Sequence, residues 1–230
     1  MIAVIFEQIE RKSSRSRVYD AIREAIFTGK LTPGHRLTET NLAESFDVSR
    51  VVIREALQQL ASDGFVVQNS YKGTHVVKLH SKEVNEILTV RIALEAEAVR
   101  LAKPNITDEI KTELRGMIEK LEATNDPHAH VEQDFMFHQR LWELSGNETL
   151  KRTLIHVTAP LFAMSTIIRD SKRFNKESSE AQFGEHEKLL EAILEGETEE
   201  AVEAMRTHIE RNRKVVGENF DKFLEAISNS

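Results

Sequence analysis

Between Val18 and Leu60 apolar residues recur at intervals of three and four with polar residues between them, the signature of short helices that each bury one face. Val18, Ile22, Ala25 and Ile26 predict a helix over residues 15–28 that stops at Gly29, and Thr32, Pro33 and Gly34 predict a turn after it. Leu42, Ala43 and Phe46 predict a second, shorter helix. Asp47 follows where the chain must turn, and Asp tolerates the left-handed conformation better than most residues. Ile53, Ala56, Leu57 and Leu60 predict a third helix, opened by Ser49, whose hydroxyl can accept from an otherwise free backbone N–H. Past Gly64 the period changes. Residues 65–68 and 74–79 are β-prone runs on either side of Asn69-Ser70-Tyr71-Lys72-Gly73, which predicts a hairpin.

From residue 81 onward only helical periodicity remains. It predicts segments over 81–102, 107–123, 126–145, 148–170, 176–194 and 198–227, with Pro160 kinking the fourth. Residues 78–82, KLHSK, form a short polar link without a Gly/Ser tract. The predicted fold is therefore mostly α. An N-terminal winged helix-turn-helix over residues 1–78, of three helices and a two-stranded wing, precedes an antiparallel bundle of about six helices over 79–230.

The third helix carries a polar flank beside its apolar stripe: Arg50, Val51, Arg54 and Gln58. Arginine can hold a phosphate or fork onto a guanine edge, and Val51 can touch a thymine methyl, so the flank fits a helix that enters the major groove. By itself such a flank is more often a solvated cationic face, and it is the surrounding helices and hairpin that favour DNA. The net charge of −7 argues against DNA until the chain is divided: residues 1–80 hold 11 Lys and Arg against 9 Asp and Glu, and the remainder holds 20 against 29. Binding must then rest on local placement of Arg11, Lys12, Arg15, Arg17, Arg50, Arg54 and Lys72, and weaken with salt. No stretch approaches the ~20 apolar residues of a membrane span, and the short apolar start MIAVIF runs at once into Glu7 and Glu10. A cytoplasmic location without membrane association is expected.

With no cysteine in the chain, any metal must use His, Asp or Glu, and there are nine histidines. Asp134 and His138 stack one turn apart on one face, His186 shares a face with Leu189, Leu190 and Ile193, and His208 lines up with Ala201, Ala204, Met205 and Asn212. Each histidine alone is ordinarily a hydrogen-bonded interior residue. Three of them with an i,i+4 carboxylate, on three helices of one bundle, suit zinc above all, or nickel, manganese or iron. Arg91 lies on the stripe of Leu88, Leu94 and Ala98, where it can pair with Glu95 one turn on or receive an acidic ligand. Arg140 and Asn212 are further candidates for that ligand by position.

The run VYDAIREAIFTGKLTPGHRLTETNLAESFDVSRVVIREALQQLASDGFVVQNSYKGTHVV, residues 18–77, resembles the winged-helix domain of GntR-type bacterial transcription regulators. That resemblance implies DNA contacts from Thr40, Ser49, Arg50, Val51, Arg54, Lys72 and Gly73. Asp47 stands where the family usually has Gly, Val51-Val52 where it has Thr-Pro, and Thr40 where it often has Arg, so the base-reading pattern differs. DFMFHQRLWELSGN, VRIALEAEAVRLA and EHEKLLEAILEGETEEAVEAMRTHIE are similar to the ligand-sensing bundle of the FadR subfamily, in its six-helix, VanR-like form. The resemblance implies a divalent metal on Asp134, His138, His186 and His208, and a small carboxylate effector near Arg91. It further implies a homodimer on double-stranded operator DNA, most often as a repressor. Two rivals start from the same residues. A metalloenzyme acting on small carboxylates would need a general base, for which Glu185 is the best placed. An architectural DNA-binding protein would be indifferent to acids and chelators.

Overall fold

The computed structural model describes residues 13–170, 185–217 and 220. Ser13 caps α1 (Ser14–Phe27) by accepting from the Ser16 N–H, and Val18, Ile22, Ile26 and Phe27 form its buried face. A two-residue strand β1 (Arg36–Leu37) leads into α2 (Glu39–Phe46), and Asp47 adopts the left-handed conformation at φ 51°. Ser49 caps α3 (Arg50–Ser62) through the Val52 N–H, and the predicted stripe of Ile53, Ala56, Leu57 and Leu60 is fully buried. Strands β2 (Val66–Asn69) and β3 (Gly73–Val76) pair antiparallel, with Val66 opposite Val76 and Asn69 opposite Gly73. These two strands are the hairpin expected from sequence, with one strand more than the pattern showed. β1 adds to its far side in the order β1-β3-β2, with Arg36 opposite His75. Two residues are too short to show a period, which is why the pattern misses them.

The bundle is built from α4 (Ser81–Ala102), α5 (Asp108–Ala123), α6 (Pro127–Leu144), α7 (Glu148–Asp170), α8 (Glu185–Glu195) and α9 (Thr198–Gly217). The expected start of the fifth helix at 176 and end of the sixth at 227 lie outside the described residues. Pro160 lies inside α7, which runs through it. α4 is the central element, packed against α6, α7 and α9. None of the described helices is long and apolar enough to cross a membrane.

The front end and the bundle share a core. Phe27 and Phe65 meet Phe135 of α6 at centroid distances of 5.6 and 6.3 Å, and Phe135 in turn touches Trp142 and Phe162. Two bundle histidines cap helices of the front end. His128 Nδ1 donates to the carbonyl of Phe27 at 3.2 Å, and His156 Nδ1 to that of Ser62 at 2.8 Å. Both acceptors are last-turn carbonyls of α1 and α3, which have no partner within their own helices. A carbonyl can only accept, so these contacts also fix each ring's proton on Nδ1.

Candidate functional site

Asp134 and His138 project from one face of α6, His186 from the first turn of α8, and His208 from α9. One potential ligand atom from each of the four lies within 4.8 Å of the others. His186 Nε2 stands 2.9 Å from Asp134 Oδ1 and His138 Nε2 stands 3.4 Å from it. The rings of His186 and His208 are 4.7 Å apart, and those of His138 and His208 are 5.4 Å apart. His138 is completely buried; the other two histidines are nearly so.

The electrostatics of the cluster are compatible with a bound cation. Burial would raise the Asp134 carboxyl, but the His138 and His186 imidazoles beside it hold it well below its ordinary value, so it is ionised. Burial, with His186 and His138 beside it, pushes His208 well down, so it is neutral at pH 7 and offers a lone pair. Burial also opposes a charge on His138, yet Glu95 and Asp134 outweigh it and shift this group upward. His138 Nε2 is buried without a hydrogen-bond partner among the described residues. With its ring proton on Nδ1, its lone pair would face the Asp134 oxygen, a repulsion that either a proton or a metal ion relieves. Around one ion with ~2.1 Å bonds, donors stand ~3 to ~4 Å apart, so small side-chain rotations suffice. Three imidazoles and one carboxylate fit a borderline divalent ion such as zinc.

Beside this cluster Arg91 is buried, with its guanidinium 4.7 Å over the Phe162 ring. Its Nε donates to Glu95 Oε1, while Nη2 is buried without a hydrogen-bond partner among the described residues. Glu95 turns its other oxygen, Oε2, to His138 Nδ1. Burial alone would push the Glu95 carboxyl up, but Arg91 and His138 bring it down to about 2. From sequence Glu95 is only a partner for Arg91. Its reach to His138 depends on how α4 packs on α6. Of the other candidates, Asn212 Nδ2 is 3.4 Å from His208 Nε2 and belongs to the site's surroundings. Arg140 does not join it: Glu113 binds its guanidinium at 2.8 and 2.9 Å, and Glu143 lies at 3.5 Å. Two residues from His138 on the same helix, Arg140 points away from the ligand face, and its position does not show which neighbouring helix will supply a carboxylate. Glu185 is taken up by Lys188, at 3.1 Å, and by Arg211.

On the front end, Arg50, Val51 and Arg54 are all exposed on α3, with Val51 60% accessible. Arg54 is gripped bidentately by Glu39 of α2, at 2.9 and 2.7 Å. This pair is open to water, so a phosphate or guanine edge can compete for the arginine. Thr40 is half-buried in the first turn of α2, and Ser49 is spent on its cap. Lys72 and Gly73 lie exposed on the wing, where Gly73 adopts φ 83° and Tyr71 is 98% exposed. Arg36, which the sequence pattern passes over, lies on β1 with its guanidinium beside Gly73. Arg11 and Lys12 are outside the described residues.

Residues 14–76 match the family model of bacterial regulatory proteins of the gntR family, and residues 86–211 match the FCD domain. The chain is 32% identical over 195 residues to the HTH-type transcriptional regulator YdhC of Bacillus subtilis (strain 168), covering 83% of this chain and 85% of that one. It is 34% identical over 137 residues to the gluconate operon transcriptional repressor of Bacillus licheniformis, covering 58% and 56% of the two. Among solved structures, Escherichia coli McbR/YncC aligns over 91% of this chain and all of its own, with a TM-score of 0.78 at 21% identity.

Proposed function

The chain belongs to the gntR family of bacterial regulatory proteins, with an FCD domain behind its winged helix, and from that premise we propose a repressor controlled by a small organic or sugar acid at a metal centre. The observation that carries this reading is the convergence of Asp134, His138, His186 and His208 within 4.8 Å, next to a buried arginine whose Nη2 meets no hydrogen-bond partner among the described residues. The four residues would hold a divalent ion, which when bound supplies a hard positive charge suited to a carboxylate oxygen. Arg91 Nη2 is the second anchor, because a guanidinium pairs with a carboxylate in a planar, charge-assisted geometry.

Control of DNA then follows from packing. Phe162 lies under Arg91 and against Phe135, whose ring meets Phe27 and Phe65 of the front end. Tightening of α4, α6 and α7 around an acid therefore presses on the seat of the winged helix, which His128 and His156 also hold. The protein acts as a homodimer, and its two recognition helices must match half-sites one helical turn or a multiple apart, ~34–36 Å per turn. A small rotation of each front end changes operator affinity by population shift, with the ~5–150-fold effect usual for such coupling. A repressor reading agrees with the name of the Bacillus licheniformis relative, the gluconate operon transcriptional repressor.

The test is a panel of small carboxylic and sugar acids screened by thermal shift against metal-loaded protein, followed by operator binding with the best hit. At least one acid should stabilise the loaded protein and change operator affinity, and neither effect should survive chelation. Acids that bind equally well to stripped protein would refute the proposal, as would operator affinity indifferent to every stabilising acid.

A further inference from the structure

We propose that Glu95 is the positioning residue of the metal centre, turning His138 so that Nε2 faces Asp134, His186 and His208. The inference rests on the metal reading above and goes beyond it to a residue outside the four ligands. Its basis is a two-sided contact: one carboxylate oxygen of Glu95 takes Arg91 Nε and the other takes His138 Nδ1. A carboxylate can only accept from that ring nitrogen, so Nδ1 carries a proton and Nε2 is the nitrogen left to bind a metal in the neutral ring. Nε2 is the buried atom that makes no hydrogen bond among the described residues and stands 3.4 Å from Asp134 Oδ1. Glu95 is itself fully buried, and Arg91 braces it one helical turn away on α4, so neither partner can swing without breaking the other's contact.

A carboxylate behind a ligating imidazole fixes the ring's orientation and tautomer and makes the ligand nitrogen more basic, and loss of such a partner typically weakens metal binding 10–100-fold. Glu95 also joins the guanidinium expected to receive an acid to a nitrogen expected to hold the ion. The two anchors for one effector thus share a single support on α4. An ion pair with a purely structural role would need only the Arg91 contact.

The test uses the full chain, stripped of metal and titrated with Co²⁺ alone against a chromophoric chelator, with the visible d–d band recorded. Glu95→Gln keeps an acceptor oxygen but loses the charge, and should bind Co²⁺ about tenfold more weakly with a near-native band. Glu95→Ala removes the acceptor and should bind about 100-fold more weakly with an altered band. Unfolding of the metal-free variants separates loss of fold from loss of ligand geometry. If the unpaired Arg91 prevents either variant from folding, Arg91→Met with Glu95→Leu replaces the buried pair by apolar volume and should show the same weakening as Glu95→Ala. In wild-type protein labelled with ¹⁵N-histidine and loaded with zinc, His138 should retain its Nδ1 proton. Native Co²⁺ affinity and band in a folded variant lacking the acceptor would overturn the role of Glu95 and leave the metal site standing, as would metal on His138 Nδ1. Wild-type protein that takes up no Co²⁺ would overturn the metal reading and this inference together.

Discussion

Replacing Gly64 by alanine should unseat the recognition helix from the bundle. Gly64 ends the turn after α3 with φ 84°, where an L side chain costs ~1–2 kcal/mol. The Cβ of an alanine there would also stand 2.4 Å from the carbonyl oxygen of His156 and 3.4 Å from Pro160 Cδ, both on α7. The first of these is backbone and cannot rotate aside, so α3 and α7 must separate. Separation strains the 2.8 Å bond from His156 to Ser62 and the Phe65–Phe135 contact beside it. Overpacking of this kind costs ~1–3 kcal/mol, bringing the expected loss to about 2–4 kcal/mol after the smaller unfolded-state entropy of alanine is allowed for. Gly34 supplies the control. It has nearly the same φ, 81°, but among the described residues nothing lies within 4 Å of its Cβ position, so Gly34→Ala should cost only the backbone part, ~1 kcal/mol. Urea unfolding followed by the single, buried tryptophan, Trp142, measures both. Equal losses for the two variants would refute the seating of the winged helix on α7.

Arg54→Ala should leave folding intact, because its pair with Glu39 is exposed, yet weaken specific operator binding about tenfold or more in fluorescence anisotropy. Unchanged binding would remove Arg54 from the DNA-reading set. Zinc at about a hundred times its dissociation constant should stabilise the wild type by ~2.7 kcal/mol, and His208→Ala should lose most of that gain together with the bound metal measured by elemental analysis. Full metal retention would take His208 off the ligand list. For Glu95 the folded-state pKa, about 2, lies below the ordinary 4.5. The unfolded chain therefore binds the proton more readily, and the stabilisation is complete above 4.5 and lost as the pH falls through about 2. Metal-free protein should lose stability across that window. Glu95→Gln should flatten this part of the profile, and an unchanged acid limb would contradict the assignment.

What sequence reveals here is whatever depends on neighbours along the chain. The Ser49 cap, the left-handed Asp47 and the buried stripe of α3 are local, and each is legible from residue type and spacing. Asp134 and His138 can be paired because one helical turn brings them together, and His186 and His208 can be set on inward faces by their apolar neighbours. That the three helices converge on one point is a tertiary fact. So is the second contact of Glu95, which comes from α4 packing on α6, and so is the capture of Arg140 by Glu113 from α5. The seam between front end and bundle is the least legible part. His128 and His156 sit on half-exposed or exposed helix positions, and nothing in their spacing shows that each meets a helix end more than ninety residues away in sequence. Arg36 is hidden for a different reason: its strand is two residues long and exists only because β3 pairs with it.

Coupling between the metal-and-arginine pocket and the recognition helices is the claim on which regulation depends. Coupling is reciprocal, so the factor by which an acid changes operator affinity must equal the factor by which operator changes acid affinity. Both can be measured on metal-loaded protein, by anisotropy of labelled operator with and without the acid and by calorimetric titration of the acid with and without operator. One shared factor in the ~5–150 range is the predicted result. Identical acid affinity for the free and the operator-bound protein would contradict it.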